Sequence, residues 1–155
     1  MSFRRVACSG LTVLALLSAP LFARAECVRL PAKVMAMRVL EDKHFEVVFS
    51  GKVVAVTRVA EAGYRATFAV DRVWKGTVTT RFDLYVWELS SELPRFEVGQ
   101  QHLALARRLM TSRELDGVGL QHTDAVAFTP VQCSDSPSLD PDLIRHLGAG
   151  LPPKN

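Results

Sequence analysis

The chain has 155 residues, of which 48% are hydrophobic and 23% are charged. This length accommodates one domain with a substantial hydrophobic core and implies no second domain. The formal net charge of +3 comes from three arginines in the first 25 residues, Arg4, Arg5 and Arg24. Beyond them, 16 of the 19 basic residues remain against all 16 acidic ones. A neutral remainder gives no support to nucleic-acid binding.

The first 25 residues have the three parts of a secretory signal peptide. Arg4 and Arg5 form a basic start, Val6–Leu17 is almost entirely apolar, and Ala23–Ala25 fits the small-x-small cleavage pattern. The apolar run is shorter than the roughly 20 residues of a membrane span, which disfavours the alternative of an uncleaved anchor. We therefore predict cleavage after Ala25, and a periplasmic or secreted protein that keeps no stable membrane anchor.

Two cysteines, Cys27 and Cys133, remain after the signal is removed. In an oxidising compartment an isolated pair most simply forms one disulfide, and two free thiols are the alternative. The bond would close a loop spanning most of the mature chain. The chain-entropy model gives such a loop about 4 to 5 kcal/mol of stabilisation.

The mature chain starts with a helix pattern, followed by two long strand patterns. Ala32–Asp42 lacks glycine and proline and follows Pro31, which predicts a short helix. Between Val47 and Val56, apolar residues occupy both alternating faces, as in a strand buried on both sides for part of its length. Gly51 within it indicates a bulge or sharp bend. Tyr64–Val70 alternates apolar with polar residues and predicts a second strand.

Three further strands are predicted in the second half of the domain. The third covers Arg81–Trp87 and the fourth covers His102–Met110. Asp116-Gly117 is a two-residue hairpin signal, which predicts a fifth strand near Val118–His122. Ala125–Val131 either extends this strand or follows it.

In the C-terminal part of the chain, the sequence predicts one short helix and no further strand. Asp140 can cap a short helix at Pro141–Leu147, and Gly148–Asn155 is expected to be a disordered tail. Five or six strands, one early helix and no βαβ alternation predict an all-β fold. In size, residues 26–134 best match a five-stranded, OB-fold-like closed barrel.

Three segments carry a family resemblance: Val47–Val54, Tyr64–Gly76 with its closing Val-Trp-Lys-Gly, and Phe96–Gln100. Together with Cys27 and Cys133, they resemble bacterial exported proteins related to the tissue inhibitors of metalloproteinases and the netrin-like modules. The likeness covers most of the mature chain. It implies an OB-fold whose N-terminal segment is tied by a disulfide to the end of the barrel.

The inhibitory chemistry of that family depends on a cysteine at the mature N-terminus, whose free amine and carbonyl chelate a protease's zinc. Here Val28 and Arg29 follow Cys27, so the family's Cys-x-Cys motif is incomplete. Cleavage after Ala25 would also leave Glu26 ahead of Cys27 and convert its amine to an amide. Both departures count against this chemistry, and metalloproteinase inhibition through Cys27 is the alternative to the binding function.

No catalytic or metal-binding spacing stands out. Met35 and Met37 could bind Cu(I), but side chains two residues apart on a helix point in different directions, which favours core packing. Ser134, Ser136 and Ser138 lack a Gly-x-Ser-x-Gly elbow. The four histidines lie without short-spaced partners at His44, His102, His122 and His146. We predict no metal, no cofactor and no enzymatic activity; a hydrolase with a site assembled from distant residues is the alternative.

The candidate contact surface lies on the third strand and the loop after it. OB-folds bind oligomers across strands two and three. The possible surface residues are Tyr85, Trp87, Glu88 and Phe96. The alternative explanation is that Trp87 covers one end of the barrel and Trp74 packs against the helix.

These patterns predict an exported, non-enzymatic binding module. Single-stranded nucleic acid would need a basic groove with aromatic side chains, which a neutral exported chain is not expected to have. The expected partner is therefore a protein or glycan in the cell envelope or outside the cell.

Overall fold

The computed structural model describes residues 30–61, 63–87, 95–109, 111–118, 120, 127–130 and 140–155. Residues 1–25, Cys27, Glu88, His122 and Cys133 lie outside the described residues, and so do the predictions made for them.

A single antiparallel sheet of five strands dominates the described part of the chain. In chain order the strands are β1 Val47–Ala60, β2 Gly63–Lys75, β3 Arg81–Trp87, β4 Gln101–Arg108 and β5 Phe128–Pro130. The order across the sheet is β3-β2-β1-β4-β5. The helices are α1 Ala32–Glu41, α2 Ser112–Gly117 and α3 Pro141–Leu147. The prediction of a mostly β fold with five strands and few short helices is confirmed.

The sheet is open, so the closed barrel of the sequence prediction is not supported. Among the described residues, β3 pairs only with β2, and β5 pairs only with β4. The two outer strands nevertheless approach each other, because the ring centroids of Phe82 in β3 and Phe128 in β5 are 5.3 Å apart. The sheet therefore curls strongly without pairing its edges.

Strand β1 is bent, and Gly51 lies at one of its register shifts, as the sequence predicted. The register with β2 changes between Ser50 and Gly51. A Cβ at Gly51 would lie 2.6 Å from the carbonyl oxygen of Ala69, so a side chain cannot fit there. Residues 48–52 lie in the part of β1 that pairs with both β2 and β4. In the described residues, the rest of β1 pairs along one edge only, apart from the bonds that link Val53 to Gly99 and Gln100.

Two hydrophobic clusters lie on opposite faces of the sheet. The inner cluster fills its concave side and includes Phe49, Phe68 and Leu84. The helix cluster joins α1 and α3 to the other face, through residues such as Val48 and Val39. Because Val48 and Phe49 are both fully buried, β1 is buried on both faces, as its apolar pattern predicted.

The segment Val73–Gly76 ties the helices to the sheet. Lys75 Nζ donates to the carbonyl oxygens of Val39 at 3.1 Å and Asp42 at 2.7 Å, where α1 ends. These bonds satisfy carbonyls that a helix C-terminus leaves without intrahelical partners. Trp74 packs against the helix cluster, and its Nε1 donates to the carbonyl of Gly148 at 2.9 Å. This packing agrees with the alternative explanation for Trp74, that it packs against the helix.

The residues after α3 are paired, although the sequence predicts a disordered tail from Gly148. Val73 and Leu151 exchange two backbone hydrogen bonds of 2.8 Å. Lys154 bonds to the backbone of Val78 and Thr80 at 2.9 and 3.1 Å. The terminal position suggested a free tail, but the backbone of Val73, Val78 and Thr80 offers it hydrogen-bond partners.

The predicted hairpin at Asp116-Gly117 is wrong, because both residues belong to α2. A capping box starts this helix: Thr111 Oγ1 accepts from the Glu114 backbone N–H, and Glu114 in turn accepts from the backbone N–H of Thr111. This Thr-x-x-Glu pattern favours a helix start more strongly than Asp-Gly favours a turn. Val118 ends α2 instead of starting a strand, and the fifth strand is Phe128–Pro130, within the alternative range.

Replacing Lys75 with methionine removes the donor to the end of α1 while keeping an unbranched apolar side chain. We expect the free energy of unfolding to fall by about 1 to 3 kcal/mol, because hydrogen bonds from a charged donor to part-buried carbonyls are lost. Urea unfolding followed by circular dichroism measures this. Lys52→Met, at an exposed position of β1, is the matched control and should change stability by less than about 0.5 kcal/mol. Equal losses in both variants would contradict the proposed role of Lys75.

Candidate functional site

A cleft lies on the outer face of β2 and β3, beside the gap that separates β3 from β5. It encloses about 380 Å³, within the range of about 300 to 1,000 Å³ usual for small-ligand sites. Its lining residues are Arg65, Thr67, Arg81, Phe82, Asp83, Tyr85 and Phe128. The alternation of the strands explains the polar lining: Tyr64, Ala66 and Phe68 point into the core, so the residues between them face outward.

Cross-strand contacts hold the polar side of the cleft in place. Thr67 and Asp83 are register partners, and Thr67 Oγ1 donates to Asp83 Oδ1 at 2.6 Å. The other carboxylate oxygen, Oδ2, lies 3.8 Å from a guanidinium nitrogen of Arg65. Both oxygens of this carboxylate are therefore engaged by β2. The contacts orient Arg65 along the floor of the cleft, since a charge pair restricts the side chain of each partner.

Arg81 supplies a second guanidinium at the start of β3. Its side chain is exposed and forms no ion pair with any described residue. Thr79 Oγ1 donates to the carbonyl oxygen of Arg81 at 2.5 Å, which holds the backbone at this point. Arg81 therefore lines the cleft from a held backbone, and its guanidinium carries five N–H donors, none of which bonds to a described residue.

Aromatic rings form the third side of the cleft. Phe82 and Phe128 are half-buried and in contact, and Tyr85 is half-buried on the same strand as Phe82. The guanidinium carbon of Arg108 lies 6.0 Å from the centre of the Phe128 ring, at the outer limit of a cation–π contact. Arg108 also pairs with Glu46 at 3.4 Å. The cleft thus combines flat apolar surfaces with arginines.

The structure separates the candidate surface residues of the sequence analysis. Tyr85 lines the cleft. Trp87 is not among the described residues of the cleft and packs against the cluster of Leu109, Val118 and Ala127, which Tyr85 also contacts. The guanidinium carbon of Arg113 lies 5.9 Å from the Trp87 ring. Of the four candidate residues, Tyr85 is therefore the one described residue that belongs to the cleft.

Phe96 was expected at the surface and is buried, with 7% of its area exposed. Its ring makes edge contacts with Phe68 and His102, at centroid distances of 5.1 and 4.9 Å. Its backbone N–H points to the Tyr64 hydroxyl at 3.4 Å. Loop position suggested exposure, but an aromatic ring at the open side of a small core gains more by filling it.

Sequence reasoning missed Arg65, Arg81 and Asp83. The signal was available, because Arg65 alternates with the apolar residues of β2 and Asp83 with those of β3. A charged residue at an outward position of a strand is common, however, and the strand register that brings these three side chains together cannot be read from composition. The sequence analysis selected aromatic residues as surface candidates, because they are rarer in the chain than charged residues.

His102 is a core residue. It is 1% exposed, and its Nε2 lies 3.2 Å from Gln100 Oε1. Met35 packs against the helix cluster, as predicted, whereas Met37 is 52% exposed. Within the described ranges, no group of three or more His, Cys, Asp or Glu side chains is arranged to hold a metal ion.

In the described part of the chain, no helix has the length and apolar character required to cross a membrane. Comparison of the chain with protein-family models, with curated proteins and with solved structures gives no match.

Replacing Phe96 with alanine should lower the free energy of unfolding by about 3 to 5 kcal/mol, the usual cost of removing a buried phenylalanine ring. Thermal and urea unfolding measure this. Val98→Ala, at a neighbouring position with 63% exposure, is the control and should be close to neutral. Wild-type stability of the Phe96 variant would show that the ring lies at the surface, as the sequence had suggested.

Proposed function

We propose that the protein is an exported, non-enzymatic binding module, and that the cleft on β2 and β3 is its contact site for a protein or glycan. The single observation that carries this proposal is the combination, in one cleft, of half-exposed aromatic rings with an arginine that forms no ion pair with any described residue. Such groups are enriched where proteins bind partners, because they offer strong directional contacts over a large area.

A binding role accounts for the state of the carboxylate better than a catalytic role. Among the described residues of the lining, Asp83 is the one carboxylate, and its two oxygens contact Thr67 and Arg65. A general base needs an oxygen directed at the reacting group. Asp83 instead braces the arginine beside it, which suits a site that holds a ligand without transforming it.

We further propose that the sheet is an incomplete OB-type barrel of the kind found in netrin-like modules. The strand order β3-β2-β1-β4-β5 and the antiparallel pairings make β3 and β5 run in the same direction. Parallel pairing of those two strands would close the barrel. The contact between Phe82 and Phe128 supports this arrangement. In an OB-fold, the face of strands two and three is the usual ligand surface, and the cleft lies on that face.

Export, cleavage after Ala25 and a disulfide between Cys27 and Cys133 complete the proposal. They rest on the signal-like first 25 residues and on the two cysteines left after cleavage. In this form the amine of Cys27 is bonded to Glu26 and cannot chelate zinc, so inhibition of a metalloproteinase is the second candidate only if cleavage occurs one residue later.

Replacing Tyr85 with alanine tests the cleft. Wild-type protein is screened against oligosaccharides and against peptides displayed on phage, and each bound ligand is then titrated into the variant. We expect a loss of about 1 to 2 kcal/mol, a factor of about 5 to 30 in affinity, because a central aromatic contact is removed.

His44→Ala removes an exposed ring on the α1–β1 connection and serves as the matched control. Because Tyr85 also packs near α2, both variants are checked by thermal unfolding. Ligands whose affinity is equal in wild type and Tyr85→Ala would contradict the proposed site.

The intact mass of protein recovered from an exporting host tests the processing. We expect a chain that begins at Glu26 and gains two hydrogens on reduction, as one disulfide requires. N-terminal sequencing provides an independent check. A chain that begins at Cys27 would favour the inhibitor instead, and an uncleaved chain with free thiols would contradict export.

A further inference from the structure

We propose that the cleft binds an acidic saccharide, with Arg81 contacting a sugar carboxylate and the rings of Phe128 and Tyr85 contacting the sugar faces. This inference rests on the proposed function, since it takes the cleft to be the binding site and adds the chemical class of the ligand.

The charges in the cleft favour an anionic group. Among the described lining residues, two guanidinium groups face one carboxylate, so this part of the lining carries a net positive charge. Arg65 already pairs with Asp83, but at 3.8 Å and through one nitrogen, which leaves further N–H donors for a ligand. Arg81 forms no ion pair with any described residue. Its planar guanidinium matches a carboxylate in a bidentate geometry that a lysine cannot provide.

The rings beside these arginines favour a sugar as the carrier of that anion. Phe82, Tyr85 and Phe128 are each half-buried, so each presents part of an apolar surface to the cleft. The apolar C–H face of a sugar ring can lie against such a surface while its hydroxyl groups stay in contact with water. The open outer position of the cleft, across three strands, also suits a chain that enters and leaves on the surface.

The spacing of the edge strands disfavours an extended acidic peptide. A peptide that added to the free edge of β3 would need room for another strand, which neighbours at about 4.7 to 4.9 Å on each side. Strand β5 already lies beside that edge, since the Phe82 ring of β3 contacts the Phe128 ring of β5 at a centroid distance of 5.3 Å. We therefore expect recognition through side chains, without the main-chain hydrogen bonds that give strand addition its affinity.

The test is calorimetric titration of the exported full-length mature protein with a set of uronic-acid and sialic-acid oligosaccharides. Each is paired with its carboxyl-reduced counterpart, which keeps the ring and removes the charge. We expect at least one acidic oligosaccharide to bind, and its neutral counterpart to bind about tenfold or more weakly, because the charge-assisted hydrogen bonds are lost.

Arg81→Ala identifies the contact. We expect it to weaken binding of the acidic ligand about tenfold or more and to leave the weak binding of the neutral counterpart unchanged. Arg81→Lys should recover part of the loss, since it restores charge without the planar pair of donors. Arg145→Ala, on exposed α3, removes the same charge away from the cleft and should have no effect.

The remaining outcomes separate the two proposals. If acidic and neutral oligosaccharides bind with equal affinity and Tyr85→Ala weakens both, the ligand need not be acidic, and the cleft remains the proposed binding site. If poly-glutamate or single-stranded DNA binds and no oligosaccharide does, the proposal that the ligand is a saccharide is wrong. Ligands that respond to neither Arg81→Ala nor Tyr85→Ala would overturn the site itself.

Discussion

The fold depends on how the end of β2 is anchored. Lys75 closes the C-terminus of α1, Trp74 contacts the chain after α3, and the backbone of Val73 pairs with the segment beyond it. Gly76 follows with a φ of 79°, and a Cβ there would lie 2.5 Å from the Glu46 carbonyl oxygen. Only glycine permits this close approach. Four consecutive residues thereby join the sheet, two helices and the C-terminal segment.

This anchoring also determines which face of the sheet remains accessible. Because α1 and α3 are held beside Trp74, they cover the outer face of β1 and β4 through Val48, Leu103 and Leu105. The outer face of β2 and β3 carries polar side chains, and within the described ranges only the cluster around α2 packs near it, at one end. The cleft with Arg65 and Arg81 lies on the part of this face that no described helix covers. The helices therefore cover the part of the outer face formed by β1 and β4, and the candidate site lies on the part formed by β2 and β3.

Local patterns predicted most of the fold and little of the site. Alternation identified four strands, the Asp140 cap identified α3, and the absence of glycine and proline after Pro31 identified α1, because those signals depend on residues close in sequence. At Thr111–Gly117 two local signals conflicted, and the capping box prevailed over the Asp-Gly pair. The cleft depends on register: only the pairing of β2 with β3 brings Thr67 and Arg65 to Asp83. The burial of Phe96 could not be predicted from local patterns either, because it depends on a core that strands distant in sequence assemble.

The helix cluster has a consequence for the order of folding. Its members come from α1 and the start of β1, from β4, and from α3, so the contacts that join these three parts span long sequence separations. Such contacts require the closure of long loops before they stabilise anything, which slows folding. Helix α1 and the β1–β2 hairpin are adjacent in sequence and can form early. The indole N–H of Trp74 gains its partner, the Gly148 carbonyl, only when the residues after α3 have been synthesised, so this link between hairpin and C-terminal segment forms last.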